Sequence, residues 1–122
     1  MTDNKDYTIS ELSEEFGVTL RAIRFYESKN LLSPLRDGKK RIYSMKQRRR
    51  LEIIVKGKRL GFSLREISEQ IQQTESNPQN ANKVHFSYEL LKEQEVYLET
   101  QQKEIAAALA ELRDTIKEAE YE

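Results

Sequence analysis

The sequence predicts a mainly α-helical fold, and three observations carry that prediction. Residues 8 to 73 hold four short amphipathic helices, three of them opening on a Ser/Thr-x-x-Glu/Gln capping box. A basic Asp-Gly hairpin, Arg36-Asp37-Gly38-Lys39-Lys40-Arg41, follows the second helix. A heptad repeat of apolar residues then fills the last third of the chain. Two capped helices joined at a glycine and followed by a basic hairpin make the layout of a winged helix-turn-helix. The expected organisation is a winged helix-turn-helix domain over residues 1–73, a linker over 74–82 and a long coiled-coil dimerisation helix over 83–122.

Thr8…Glu11 opens the first helix, which places Ile9, Leu12 and Phe16 on one face, and Gly17 ends it. Thr19 caps the second without a box. Leu20 and Ile23 face inward with Tyr26 beside them, leaving Arg21, Arg24 and Phe25 on other faces. Asn30 is suited to the left-handed conformation that often closes a helix. After Pro34, Leu35–Arg36 and Lys40–Tyr43 read as two strands around a type I′ turn at Asp37-Gly38. Ser44…Gln47 opens a third helix running to Leu60, with Leu51, Ile54, Val55 and Leu60 on its apolar side. Gly61 stops it. Ser63…Glu66 then opens a fourth helix over Leu64–Gln73, carrying Leu64, Ile67 and Ile71. Residues 74–82 contain Asn77-Pro78 and little that is apolar, which reads as a linker.

In the last element Val84, Leu91, Leu98, Ile105, Leu112 and Ala119 recur every seventh residue, with Tyr88, Glu95, Gln102, Leu109 and Ile116 four positions further on. At ~1.5 Å per residue this helix is roughly 55 Å long, more than the rest of so small a chain can cover. A second copy of the helix is the economical partner, so a homodimer is expected through Val84, Leu91, Leu98, Ile105, Leu109, Leu112 and Ile116. Glu95 and Gln102 interrupt one seam and would fix its register.

The charge distribution points to a partner. The chain has 21 basic and 21 acidic residues, yet residues 1–73 hold 16 basic against 10 acidic and residues 74–122 hold 5 against 11. Between Arg21 and Arg65 the count is 15 against 3. A local excess of that size favours a polyanion. Arg21 and Arg24, three apart on the second helix, offer planar forks for guanine edges or phosphates. Arg36, Lys39, Lys40 and Arg41 on the hairpin, with Lys46, Arg48, Arg49 and Arg50 just beyond, suit a phosphate backbone better than they suit the protection of a strand edge. Tyr43 fits either the core or a phosphate contact. With no cysteine in the sequence, disulfides and thiolate metal sites are excluded. His85, the single histidine, has no second ligand to share a metal with. No nucleophile–base pair or phosphate-cradling glycine loop is present, so neither catalysis nor a cofactor is expected. The amino terminus has no basic-then-apolar pattern and no apolar run reaches a membrane span, so a cytoplasmic chain without a membrane partner is expected.

With those residues in view, the chain resembles the MerR family of bacterial transcription regulators. The likeness runs from Tyr7 to Ile71 through Tyr7-Thr8-Ile9, Gly17-Val18-Thr19, Arg21-Ala22-Ile23-Arg24-Phe25-Tyr26-Glu27, Leu31-Leu32-Ser33-Pro34, Arg41-Ile42-Tyr43-Ser44 and Leu60-Gly61-Phe62-Ser63-Leu64-Arg65-Glu66-Ile67. The resemblance implies that Thr19, Arg21, Arg24 and Phe25, with Tyr26 in the same set, meet DNA from the recognition helix. It also implies that Arg41 and Tyr43, with the nearby wing lysines Lys39 and Lys40, hold the backbone, and that the long helices pair antiparallel. Phe25 stands where the family usually has Tyr, Asn30 where it usually has Gly, and Gln47 where it often has Asp. Family members bind a two-fold-related operator as homodimers and distort a promoter so that RNA polymerase can read it. The family's usual cysteine or drug-binding sensors are not expected here. The wording around Arg21–Glu27 and Gly57–Leu64 is similar to that of short proteobacterial members controlling amino-acid and acyl-CoA catabolic genes. Two other readings stay open: a DNA-bending architectural or recombination accessory protein, and a coiled-coil adaptor for an acidic protein.

Overall fold

A computed structural model describes residues 5–77, 79 and 86–121. The elements run β1 (Tyr7–Thr8), α1 (Ile9–Phe16), α2 (Leu20–Ser28), β2 (Leu35–Asp37), β3 (Lys40–Tyr43), α3 (Met45–Arg59), α4 (Leu64–Ser76) and α5 (Tyr88–Glu120). Two compact units emerge, residues 1–86 and residues 87–122.

The capping chemistry read from the sequence is realised at two of the three boxes. Thr8 and Glu11, and again Ser63 and Glu66, exchange side chain and backbone reciprocally. At the third, Ser44 accepts from the Gln47 amide, but the Gln47 side chain turns away to accept the Ser33 N–H at 2.7 Å. Gln47 therefore ties the segment after α2 to the start of α3 instead of closing a box. Gly17 closes α1 at φ 65°, and Asn30 takes φ 63° just beyond α2.

The sheet is larger than expected. Tyr7 and Thr8 form β1, which pairs antiparallel with β3 and makes the strand order β1-β3-β2. Asp37 pairs with Lys40, so the hairpin loop is Gly38-Lys39, one residue beyond the predicted Asp37-Gly38. Only Gly38 has a positive φ, 64°, whereas a type I′ turn requires one at both loop positions.

The core of the first unit gathers Leu12, Ile23, Leu32, Tyr43, Leu51, Ile54, Phe62 and Ile67, all essentially without solvent contact. Ile53 is buried as well, an addition to the predicted apolar side of α3, while Leu60 is half-buried. Phe86 closes the unit by stacking on Phe62 at 5.5 Å. Gly57 lies beneath these side chains. A methyl group there would fall 2.6 Å from Ile67 Cγ1 and 2.8 Å from Ile67 Cδ1, and Ile67 is fully buried and has nowhere to swing. Alanine in a helix ordinarily gains about 1 kcal/mol over glycine. Overpacking costs about 1–3 kcal/mol. Gly57→Ala is therefore expected to destabilise the fold by about 1 kcal/mol net, read as a lower urea midpoint; a raised midpoint would show that the site accommodates the methyl group.

Helix α4 continues to Ser76, so residues 74–76 are not the start of a linker. Thr74 is buried, and Arg50 Nε and Nη2 donate to Glu75 Oε2 and Oε1 at 2.6 and 2.8 Å. Lys46 adds a longer contact at 3.9 Å. The hydrogen bonds from Arg50 hold the Glu75 carboxyl below its ordinary value of 4.5, against the opposing effect of burial. Because the folded-state value is depressed, the pair's stabilisation is fully present above pH 4.5 and fades as the pH falls through that lower value. Glu75→Gln should cost about 1 kcal/mol at neutral pH, and nothing once the carboxyl is protonated in the parent. Denaturant midpoints of both proteins across the acid range would check this, and parallel curves would refute it.

Helix α5 is one uninterrupted helix of 33 residues with no buried side chain. It starts at Tyr88 behind a Ser87 cap, five residues after the predicted boundary, and Val84 and His85 lie outside the described residues. Among the described residues no helix is long and apolar enough to cross a membrane.

Candidate nucleic-acid interface

The second helix and the hairpin meet through a single carboxylate. Glu27, in the last turn of α2, accepts Arg36 Nη2 on Oε1 at 3.0 Å and Arg41 Nε on Oε2 at 3.0 Å. The Tyr43 hydroxyl donates to the same Oε2 at 3.4 Å. The sequence leaves Tyr43 equally suited to the core or a phosphate; it is fully buried, which removes it from the surface set. Burial, followed by the nearby Glu27 charge, pushes its hydroxyl up to about 12. Tyr43 thus underpins the hairpin from below.

Arg21, Arg24 and Phe25 project from α2 into solvent, Phe25 with 47% of its surface exposed. Thr19 is exposed and committed as the cap of α2, its hydroxyl accepting the Ala22 N–H at 3.0 Å. Tyr26 is half-buried and meets the Phe25 ring edge-on at 5.9 Å; its hydroxyl is raised by burial. Lys29 Nζ lies 5.5 Å from the Phe25 ring. These placements put two guanidinium groups and an aromatic face on the outside of α2.

Arg24 and the hairpin residues Lys39, Lys40 and Arg41 line one groove of about 360 Å³ together with Thr8, Ile9 and Ser10 at the start of α1. No carboxylate is among the lining residues. Arg24, Lys39 and Lys40 make this concavity positive, although Glu27 holds Arg41 and the Glu11 carboxylate accepts the Thr8 N–H at 2.8 Å at the start of α1. The contribution of Thr8, Ile9 and Ser10 is not legible in the sequence, because it depends on β1 laying the start of α1 against the hairpin.

The basic cluster on α3 behaves differently from the prediction that it would also face phosphates. Arg48 makes a two-pronged contact with Glu15 and lies 5.4 Å from the Phe16 ring and 5.8 Å from the Tyr7 ring. Arg50 and Lys46 are taken by Glu75. Arg49 Nε is buried. Arg48 thus braces α1, and Arg50 with Lys46 braces α4, against α3. Among the described residues no ion pair engages Arg21, Arg24, Lys39 or Lys40, and the same holds for the exposed Lys56, Lys58 and Arg59 at the end of α3 and Arg65 in α4, which lie outside this groove. No group of three or more acidic, histidine or cysteine side chains suited to a metal occurs among the described residues.

The sequence profile described as the MerR HTH family of regulatory proteins matches residues 7–74, and a second, described as MerR, DNA binding, matches residues 48–115. The chain belongs to the MerR family. The HTH-type transcriptional regulator CueR of Salmonella typhi is 38% identical over 63 residues, which are 50% of this chain and 46% of CueR. The chain thus spans about half the length of that relative. A MerR family transcriptional regulator from Bacillus cereus superposes with a TM-score of 0.73 at 28% identity, covering 93% of this chain and 82% of the other. HiNmlR, a MerR family regulator lacking the sensor domain and solved bound to promoter DNA, shares the fold at a TM-score of 0.53 and 23% identity, over 93% and 80% of the two chains.

Proposed function

We propose that this MerR family member is a sequence-specific DNA-binding transcription regulator, without enzymatic activity, that acts as a homodimer on a palindromic operator. The observation carrying this reading is the groove in which Arg24, Lys39 and Lys40 stand without an ion pair among the described residues, beside the exposed Arg21 and Phe25 of α2. In this reading α2 enters the major groove, where Arg21 and Arg24 meet base edges or phosphates, and Thr19, Phe25 and Tyr26 pack around them. The hairpin follows the adjacent backbone through Lys39, Lys40 and the outer parts of Arg36 and Arg41.

The dimer is supported by α5. Leu91, Leu98, Ile105, Leu109, Leu112 and Ile116 form its predicted seam, and all are exposed in the single chain. An antiparallel pairing of two such helices, as the family resemblance implies, would set two α2 helices one DNA turn apart. Distortion of promoter DNA and engagement of RNA polymerase are carried over from that resemblance, as are control of amino-acid and acyl-CoA catabolic genes and a cytoplasmic location.

The test is selection of preferred sites from random duplexes, followed by titration at several salt concentrations. A two-fold-related site and a steep, linear loss of log affinity with log salt are expected. Indifference to every duplex at low salt would overturn the reading, and salt-dependent binding without a preferred site would favour an architectural role.

A further inference from the structure

Glu27 is the one carboxylate in α2, and it neutralises two hairpin arginines rather than its own helix neighbours Arg21 and Arg24. Arg36 and Arg41 are directly opposed in the β2–β3 register. Like charges facing each other across a ladder repel. Glu27 relieves that repulsion by placing one oxygen on each guanidinium. Its side chain is only 18% exposed, whereas Arg36 remains 54% exposed and within reach of solvent anions.

We propose that Glu27 is a specificity-determining positioning residue: its carboxylate stands in for a phosphate, withholding Arg36 and Arg41 from indiscriminate backbone contact and fixing the hairpin against α2. This rests on the DNA-binding reading above. With Glu27 in place, the cations left available where α2 meets the hairpin are Arg21, Arg24, Lys39 and Lys40, so the contacts made there depend on α2 being seated in its groove. With the carboxylate gone, the two arginines seek the nearest anions, which on a duplex are phosphates of any sequence.

The experiment compares the parent chain with its Glu27→Gln variant on a selected operator and on a scrambled duplex. In the variant, affinity for the scrambled duplex should rise by about tenfold at moderate salt, and its log–log salt slope should steepen by about 0.9 for each additional phosphate neutralised. The ratio of operator to scrambled affinity should fall accordingly. Adding Arg36→Ala to the variant should return about one such increment of slope. A merely structural carboxylate would lower the melting temperature and weaken binding to both duplexes with the slope unchanged, and that result overturns the proposal. So does a gain that survives Arg36→Ala undiminished, since it would reflect general repulsion of DNA by Glu27. If the parent chain binds no duplex, the DNA-binding reading fails and takes this proposal with it; if the parent binds and the variant matches it, only the role of Glu27 fails.

Discussion

Lysine at both Leu98 and Ile105 should convert the protein to a monomer and weaken binding to a two-fold operator by about 10²–10⁴-fold. Both residues stand on the heptad seam of α5 and are exposed in the single chain, Ile105 to the extent of 65%. A helix of 33 residues with no buried side chain gains little from packing, so its apolar stripe calls for a partner. Two ammonium groups in the middle of that stripe would face their symmetry mates and repel. The loss of affinity follows because tethered half-sites bind with a high effective concentration and separate ones do not. The first unit should keep its melting transition, since its core contains none of these residues. Sedimentation analysis reads the oligomeric state directly. A surviving dimer would move the interface off the seam, and Val96 and Tyr97, exposed on α5 but outside the heptad positions, are where it would be sought.

The helices are legible in the sequence because their starts carry their own chemistry. Thr8, Thr19, Ser44 and Ser63 each cap a helix by accepting the third amide that follows, a local interaction that needs no knowledge of the rest of the fold. The pieces that escape depend on contacts between distant residues. Strand β1 is two residues long and exists only because β3 arrives beside it. The end of α4 is hidden because Thr74 and Glu75 are polar, and Glu75 gains its place through Arg50, 25 residues earlier. The hairpin register differs by one because Asp-Gly is the commoner turn pair, whereas the observed ladder pairs Asp37 with Lys40.

The same distinction applies to the candidate site. Positive charge on α2 and the hairpin is visible from composition, but which of those charges are free is not. Arg48 and Arg50 look no different in sequence from Arg21 and Arg24. Only the fold brings Glu15 and Glu75 to the first pair and leaves the second without a carboxylate. Glu27 is subtler, since a lone acid in a basic helix reads as a partner for its neighbour Arg24 at i−3. Its pairing across to the hairpin follows from how β3 packs against the end of α2.

Replacing Arg24 by alanine is the substitution expected to weaken operator recognition most among the surface residues. Arg24 is exposed, makes no ion pair among the described residues, and lines the groove where α2 meets the hairpin. Truncating an arginine that grips a base edge costs about 1–3 kcal/mol, and a two-fold dimer loses that amount at each half-site. The outcome separates two roles. If Arg24 reads a base, the selected site should become degenerate at one position in each half, and binding to scrambled DNA should barely change. If it holds a phosphate, binding should fall evenly on all sequences and the salt slope should drop by about 0.9 for each phosphate no longer neutralised. Lys40→Ala provides the reference for the second pattern, because an ammonium at the hairpin strand is a point charge without a fork to match guanine. We expect Arg24→Ala to show the first pattern and Lys40→Ala the second. Unchanged affinity and preference in Arg24→Ala would remove the guanidinium from the interface and leave Arg21 as the one remaining arginine of α2 able to read a base.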